Sequence, residues 1–150
     1  MKKQILTIVL GLIMITAGPT TFAATRPTVN QKIIKNFSGQ FKLSVSPSIY
    51  SLNSGFIVKA RVDEQNITSA YDVKGNWVYT IKSYAHNSMD AYVIKTILDT
   101  YENYQIKGME EIKQQGSIPV FLVHLQNRNS VKDVIVANDQ TEPVKEFKKL

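Results

Sequence analysis

Apolar and polar residues alternate with two different periods along this chain, and the period changes at definite places. Val29, Ile33, Ile34 and Phe37 recur at helical spacing. Thr28, with Gln31 three residues on, reads as a capping box, and Gly39 is expected to end the helix. Period two then takes over. Phe41, Leu43 and Val45 alternate with Lys42, Ser44 and Ser46, and Phe56, Val58, Ala60 and Val62 alternate with Ile57, Lys59, Arg61 and Asp63. Ile67–Val73 and Trp77–Tyr84 follow, joined at Asp72-Val73-Lys74-Gly75, where glycine can adopt the left-handed conformation of a tight hairpin. Such alternation predicts half-buried antiparallel strands. Ser88 is expected to cap a second helix, with Asp90 near its positive end. Met89, Val93, Ile97, Tyr101 and Tyr104 form its apolar stripe, widened by Tyr92, Ile94 and Leu98.

The pattern then starts again. Ile106–Lys113, Ile118–Gln126, Ser130–Ala137 and Glu142–Lys148 are four further strands, with turns at Gln126-Asn127-Arg128-Asn129 and Asn138-Asp139-Gln140. A shift of about 64 residues lays one half over the other. The expected architecture is therefore α+β: two repeats, about 28–84 and 88–150, each a helix followed by a four-strand antiparallel meander. One helix can cover the apolar face of each meander. The halves could form two sheets or join edge to edge. Either way, helices on one side leave the opposite sheet face open.

The hairpin SAYDVKGNWVYTIKSY, residues 69–84, is rich in aromatics. Strict alternation puts Trp77, Tyr79 and Ile81 on one face, and Ile67, Tyr71 and Val73 together on the preceding strand. Two readings stay open: the Trp77 face is core under the helix, or the open face carries part of this aromatic set beside Lys59 and Arg61. In the second reading Lys59, Arg61, Tyr71, Trp77 and Tyr79 are the candidate partner-binding residues, because aromatics with Arg make protein-binding hot spots.

The N-terminus changes the setting. Lys2 and Lys3 precede the apolar stretch Ile5–Ala17, which is shorter than the about 20 residues a bilayer requires. Thr21 and Ala23 supply small residues at −3 and −1. Residues 1–23 therefore read as a secretory signal peptide, and 24–150 as one mature domain with no stable membrane anchor. The absence of cysteine excludes a lipoprotein anchor and disulfides, and points to a periplasmic or secreted bacterial protein. Stability must then come from an apolar core, which 43% hydrophobic residues can supply. Without Lys2 and Lys3 the 18 basic residues fall to 16 against 12 acidic ones, a scattered net charge near +4. Lys145, Lys148 and Lys149 read as a solvated tail. No basic stripe or reading motif suggests nucleic acid.

Catalytic patterns are missing from the sequence. His86 and His124 are the two histidines; the first falls in a loop and the second on a strand face, neither in a serine elbow. They are too isolated for a zinc site. Glu110 and Glu111 are adjacent, so a strand points them to opposite faces. No cofactor is expected.

An exported chain with a helix, a meander ending in Ala70-Tyr71-Asp72, Gly75 and Trp77, a second helix running into Tyr101-Glu102-Asn103-Tyr104-Gln105-Ile106, and a second meander resembles a known family. It is similar to the β-lactamase-inhibitor-like, PepSY-like periplasmic proteins of Bacteroidetes, over nearly all of residues 28–150. The resemblance implies an α+β fold of antiparallel sheet packed on helices and no enzymatic activity. By name only, it suggests a binding or inhibitory role. The second half departs from the pattern: Asn138-Asp139-Gln140 lacks the turn glycine, and Val144 and Phe147 fall on opposite parities, so the last strand should be short or bulged. No inhibitory residue is carried over. The expected function is a noncatalytic protein-binding module with a partner in the cell envelope, with inhibition of an extracytoplasmic enzyme as its finer form. The competing readings are a carrier of lipid or peptide, and a small hydrolase.

Overall fold

The computed structural model describes residues 27–42, 46–63, 65–84, 88–138 and 140–149. The expected signal peptide, Leu43-Ser44-Val45 and His86 lie outside them. The elements run α1 (Pro27–Gln40), β1 (Ser48–Leu52), β2 (Gly55–Val62), β3 (Gln65–Tyr71), β4 (Trp77–Tyr84), α2 (Ala91–Thr100), β5 (Gln105–Gln114), β6 (Val120–Gln126), β7 (Ser130–Ala137) and β8 (Gln140–Lys148). All eight strands form one antiparallel sheet in sequence order. The question of one sheet or two is settled by β4 pairing with β5, from Tyr79 opposite Gln114 to Tyr84 opposite Met109.

Several boundaries differ from the sequence reading. α1 opens at Pro27, where a missing N–H costs nothing, so Thr28 lies inside the helix and not at its cap. The first strand is Ser48–Leu52 instead of the stretch from Phe41. Phe41 remains with the helix: its N–H bonds the Phe37 carbonyl, and the two rings lie 4.9 Å apart. α2 is capped by Asp90, not Ser88. The Asp90 carboxylate accepts the N–H groups of Tyr92 and Val93, two of the donors a helix start leaves unpaired. Tyr92 and Leu98, expected to widen the stripe, are exposed. The C-terminal lysines are no free tail. Lys145 and Lys148 belong to β8, and Lys149 bonds the Asn127 and Asn129 carbonyls.

The core follows from strand parity. Ile33 and Phe37 of α1 are fully buried with Val58, Val62, Ile67 and Tyr71. Val93 and Ile97 of α2 are buried with Met109, Val123, Leu125, Val134 and Val136. Tracing the cross-strand partners from Val58 through Ser69, Thr80, Lys113 and onward to Val123 and Val134 keeps both clusters on one side of the sheet. Between them the β4–β5 seam is polar. Lys82 and Glu111, directly opposite, form an ion pair at 3.3 Å, and Tyr84 donates to the same carboxylate. Beneath Trp77, Ser69 and Thr80 share a buried hydroxyl contact of 2.7 Å.

Two turns obey unusual backbone demands. Gly55 has φ +149°, and a Cβ there would sit 2.1 Å from the Tyr71 carbonyl oxygen, so the β2–β3 approach needs glycine. At the β7–β8 turn, which lacks glycine, Asn138 itself takes φ +49°. β8 is bulged as its parities require: Asp133 faces Lys145 while Val134 faces Pro143, leaving Val144 between.

Phe37→Ala should cost about 3–5 kcal/mol of unfolding free energy, as expected for emptying a buried aromatic site. Gly55→Ala should also lower stability markedly, because its methyl meets backbone and not a yielding side chain. Urea unfolding followed by circular dichroism checks both; a midpoint unchanged in either variant would contradict the packing described.

Candidate functional site

The aromatic hairpin turns on a single extra residue. Tyr71 pairs with Trp77, but Ala70 pairs with Tyr79, so Val78 is bulged out of the ladder. The bulge reverses the face of Trp77. The ring joins the α1 cluster with Tyr71, and its Nε1 donates to Thr80 Oγ1 at 2.8 Å. Trp77 and Tyr79 therefore lie on opposite sides, contrary to strict alternation. The turn holds this geometry in place. The Asp72 carboxylate accepts the N–H groups of Lys74 and Asn76 and the Asn76 side-chain amide, each at 2.8 Å. Those bonds from Asn76, backbone first, hold the Asp72 carboxyl below the usual carboxylate range. Gly75, at φ +74°, presses against Val29 and Ile33 of α1, and Lys32 reaches the Lys74 carbonyl and the Asn76 side chain.

The five candidate residues are thus split. Tyr71 and Trp77 sit under α1. Lys59, Arg61 and Tyr79 lie on the reverse side, which carries neither α1 nor α2. The cross-strand partners assemble that side strand by strand. Ile57, Ala70 and Tyr79 form one row; Lys59, Thr68, Ile81, Ile112, Val120 and Ala137 the next; Arg61, Asn66, Ser83, Glu110, Leu122, Ile135 and Glu142 a third. An apolar band runs from Ile57 to Ala137. Ala70, Tyr79, Ile112, Val120, Ile135 and Ala137 are buried, although among the described residues no helix lies above them. At the β6–β8 end their neighbours are Leu122 and Val144 of the sheet itself.

Charge lies around the band. Lys59 and Arg61 are exposed at the β2 end. Lys59 Nζ is 5.7 Å from the centroid of the Tyr50 ring, itself 40% exposed. At the other end His124 Nδ1 lies 2.7 Å from Asp133 Oδ1. An ionised carboxylate can only accept, so that ring nitrogen carries the proton. Gly108, opposite His124 next to a β5 irregularity, leaves room for the ring. Lys145 faces Asp133 and stacks over Phe147, which is 53% exposed. Neither this corner nor the Val78 bulge is visible to a parity rule. The His124–Asp133 pair had a sequence signal only in that both residues fall on strands of matching register.

Glu110 and Glu111 point to opposite faces; Glu110 accepts from Ser83, and Glu111 serves the seam. Among the described residues no hydroxyl bonds His124, and no group of three or more His, Asp or Glu is placed to hold a metal ion. No described helix is long and apolar enough to cross a membrane.

Burial holds three phenols in the neutral form. It pushes Tyr71 up to about 12 and raises Tyr79. Tyr84 is raised by burial and by its hydrogen bond to Glu111. An unfolded phenol titrates near 10.0, so stability from these groups is whole below that pH and is lost as pH rises through about 12 for Tyr71. An alkaline titration read by tyrosinate absorbance should show a class of tyrosines that ionises together with unfolding. Smooth ionisation of every tyrosine in a chain still folded would contradict this burial.

No family model matches the chain, and no curated protein matches it. Solved structures do. A DUF2874 family protein from Bacteroides ovatus superposes with a TM-score of 0.63 at 12% identity, covering 84% of this chain and 89% of that one. A BLIP-like protein from Bacteroides fragilis gives 0.62 at 12% identity, with 89% of each chain covered. A protein of Bacteroides eggerthii whose name places it in the periplasm gives 0.62 at 5% identity, with 84% and 90% covered. At these identities the likeness is one of fold, and it agrees with the β-lactamase-inhibitor-like resemblance read from Ala70-Tyr71-Asp72, Gly75, Trp77 and the tyrosines after α2.

Proposed function

We propose that this chain is a noncatalytic protein-binding module of the bacterial cell envelope, and that it docks its partner on the helix-free side of the sheet. One observation carries the reading: apolar side chains run from strand to strand across that side, and charge of both signs borders them, with Lys59 and Arg61 exposed. Aromatics and Arg among apolar surface are what protein hot spots use, and the half-buried Ile57 and Leu122 with the exposed Tyr50 and Phe147 leave apolar surface on that side. Lys59, Arg61 and Tyr79 belong to this surface; Tyr71 and Trp77 support it from beneath α1. Inhibition of an extracytoplasmic enzyme is the finer form of the proposal, supported by the BLIP-like neighbour's name. Export through the signal peptide, and a single PepSY-like domain built by duplication, belong to the same reading. A shift of about 64 residues carries α1 onto α2 and each of β2, β3 and β4 onto β6, β7 and β8.

The carrier reading is not favoured. A surface cleft of about 310 Å³ does open between Phe41, Trp77 and Lys113. The Lys82–Glu111 ion pair lines it, and a lipid tail gains little from such surroundings.

The test is capture from envelope extract by immobilised protein, comparing helix-free-side variants with a control. Leu122→Lys, and Lys59→Glu with Arg61→Glu, should each weaken capture of a saturable partner by about tenfold or more. Leu98→Lys, on the exposed flank of α2, should leave it intact. Equal capture by all of these proteins would place any binding elsewhere and remove the proposal.

A further inference from the structure

The strand order leaves two outer edges, β1 and β8, and they are built differently. β8 contains Pro143, the bulge at Val144, and Lys145 and Lys148. These are the devices by which natural sheets keep an edge from pairing. β1 has none of them: no proline, no charge, and an unbroken register against β2. The hairpin also fixes which groups point outward. Leu52 and Gly55 flank the two-residue turn Asn53-Ser54, and residues flanking such a turn exchange both hydrogen bonds. Counting back from that pair, Tyr50 and Ser48 bond inward to β2, while Ile49 and Ser51 turn their N–H and C=O groups outward. Among the described residues no strand pairs with that edge.

We propose that β1 pairs with β1 of a second copy, antiparallel about Tyr50. This goes beyond the docking reading and does not depend on it. Self-complementarity selects the occupant. With Tyr50 facing Tyr50 of the second copy, Ile49 falls opposite Ser51, once on each side of the two-fold axis. The two residues with outward backbone groups therefore meet as hydrogen-bonded pairs, and this register uses both of them. The tyrosines occupy the intervening non-hydrogen-bonded site, where facing side chains approach most closely. Tyr50 lies on the helix-free side next to Ile57, so each apolar band continues into the other across the seam. No charge in β1 opposes the approach. A strand of about 17 Å makes a small contact, which belongs to the weak, reversible class of interfaces.

Sedimentation velocity of the processed chain over a concentration series tests the proposal. A monomer–dimer equilibrium in the micromolar to millimolar range is expected. Ser51→Pro removes an outward N–H that β2 does not use, and should raise the dimer dissociation constant about tenfold or more with an unchanged circular dichroism spectrum. Tyr50→Lys, which sets like charges face to face, should do the same, and it decides the matter if Ser51→Pro does not fold. Thr141→Lys, on the β8 edge, should leave association unchanged. A chain that stays monomeric at its highest soluble concentration overturns the proposal, as does a dimer that survives the β1 variants. Neither outcome bears on envelope capture, which reads the face and not the edge.

Discussion

The pairing of β4 with β5 is the constraint on which the rest of this structure depends. Each meander alone is a small sheet with one face needing cover, and α2 separates the two in sequence. Once Tyr79–Tyr84 lies against Met109–Gln114, strand parity is carried through all eight strands. The α1 and α2 clusters then fall on the same side, and the reverse of both meanders becomes one continuous surface. The seam is polar on the helix side, where Lys82, Tyr84 and Glu111 meet between the clusters. Facing charges of opposite sign on neighbouring strands favour that register over a slipped one.

Helix and sheet are fastened at a few points, and the residues that carry the family resemblance are among them. Asp72 and Gly75 set the turn that abuts α1, Trp77 is aimed inward by the bulge, and Tyr101 and Tyr104 meet edge to face at 6.1 Å with Lys132 over both rings. These residues build the scaffold more than the surface. That is why a resemblance resting on them reports the fold and leaves the partner open. The opposite side of the sheet is built of residues such as Leu122, Ile135 and Arg61, which show no pattern beyond alternation.

The polar character of the side away from α1 and α2 is uneven. Cations gather near β2, carboxylates stand at Glu110 and Glu142, and the His124–Asp133–Lys145 corner closes the far end. Tyr79, only 6% exposed, acts as a floor to the apolar band and not as a projecting anchor.

The sequence by itself determined the element types, the number of strands, the period-two alternation of β2, β3, β6 and β7, the Val93 and Ile97 line of α2, and that β8 would be short or bulged. These follow from local periodicity and turn chemistry, which a side chain expresses whatever lies above it. Three things were decided only in the tertiary structure. The first strand moved to Ser48–Leu52 because Phe41 found its partner on α1. Asp90 took the cap from Ser88 because its carboxylate is the one that reaches the free N–H groups. Trp77 parted from Tyr79 because one extra residue at Val78 shifts every later position to the other face, and period-two reading has no term for an inserted residue. The candidate surface was therefore half legible: Lys59, Arg61 and Tyr79 could be read together, while Tyr71 and Trp77 were drawn beneath the helix by packing across a gap that no local pattern records.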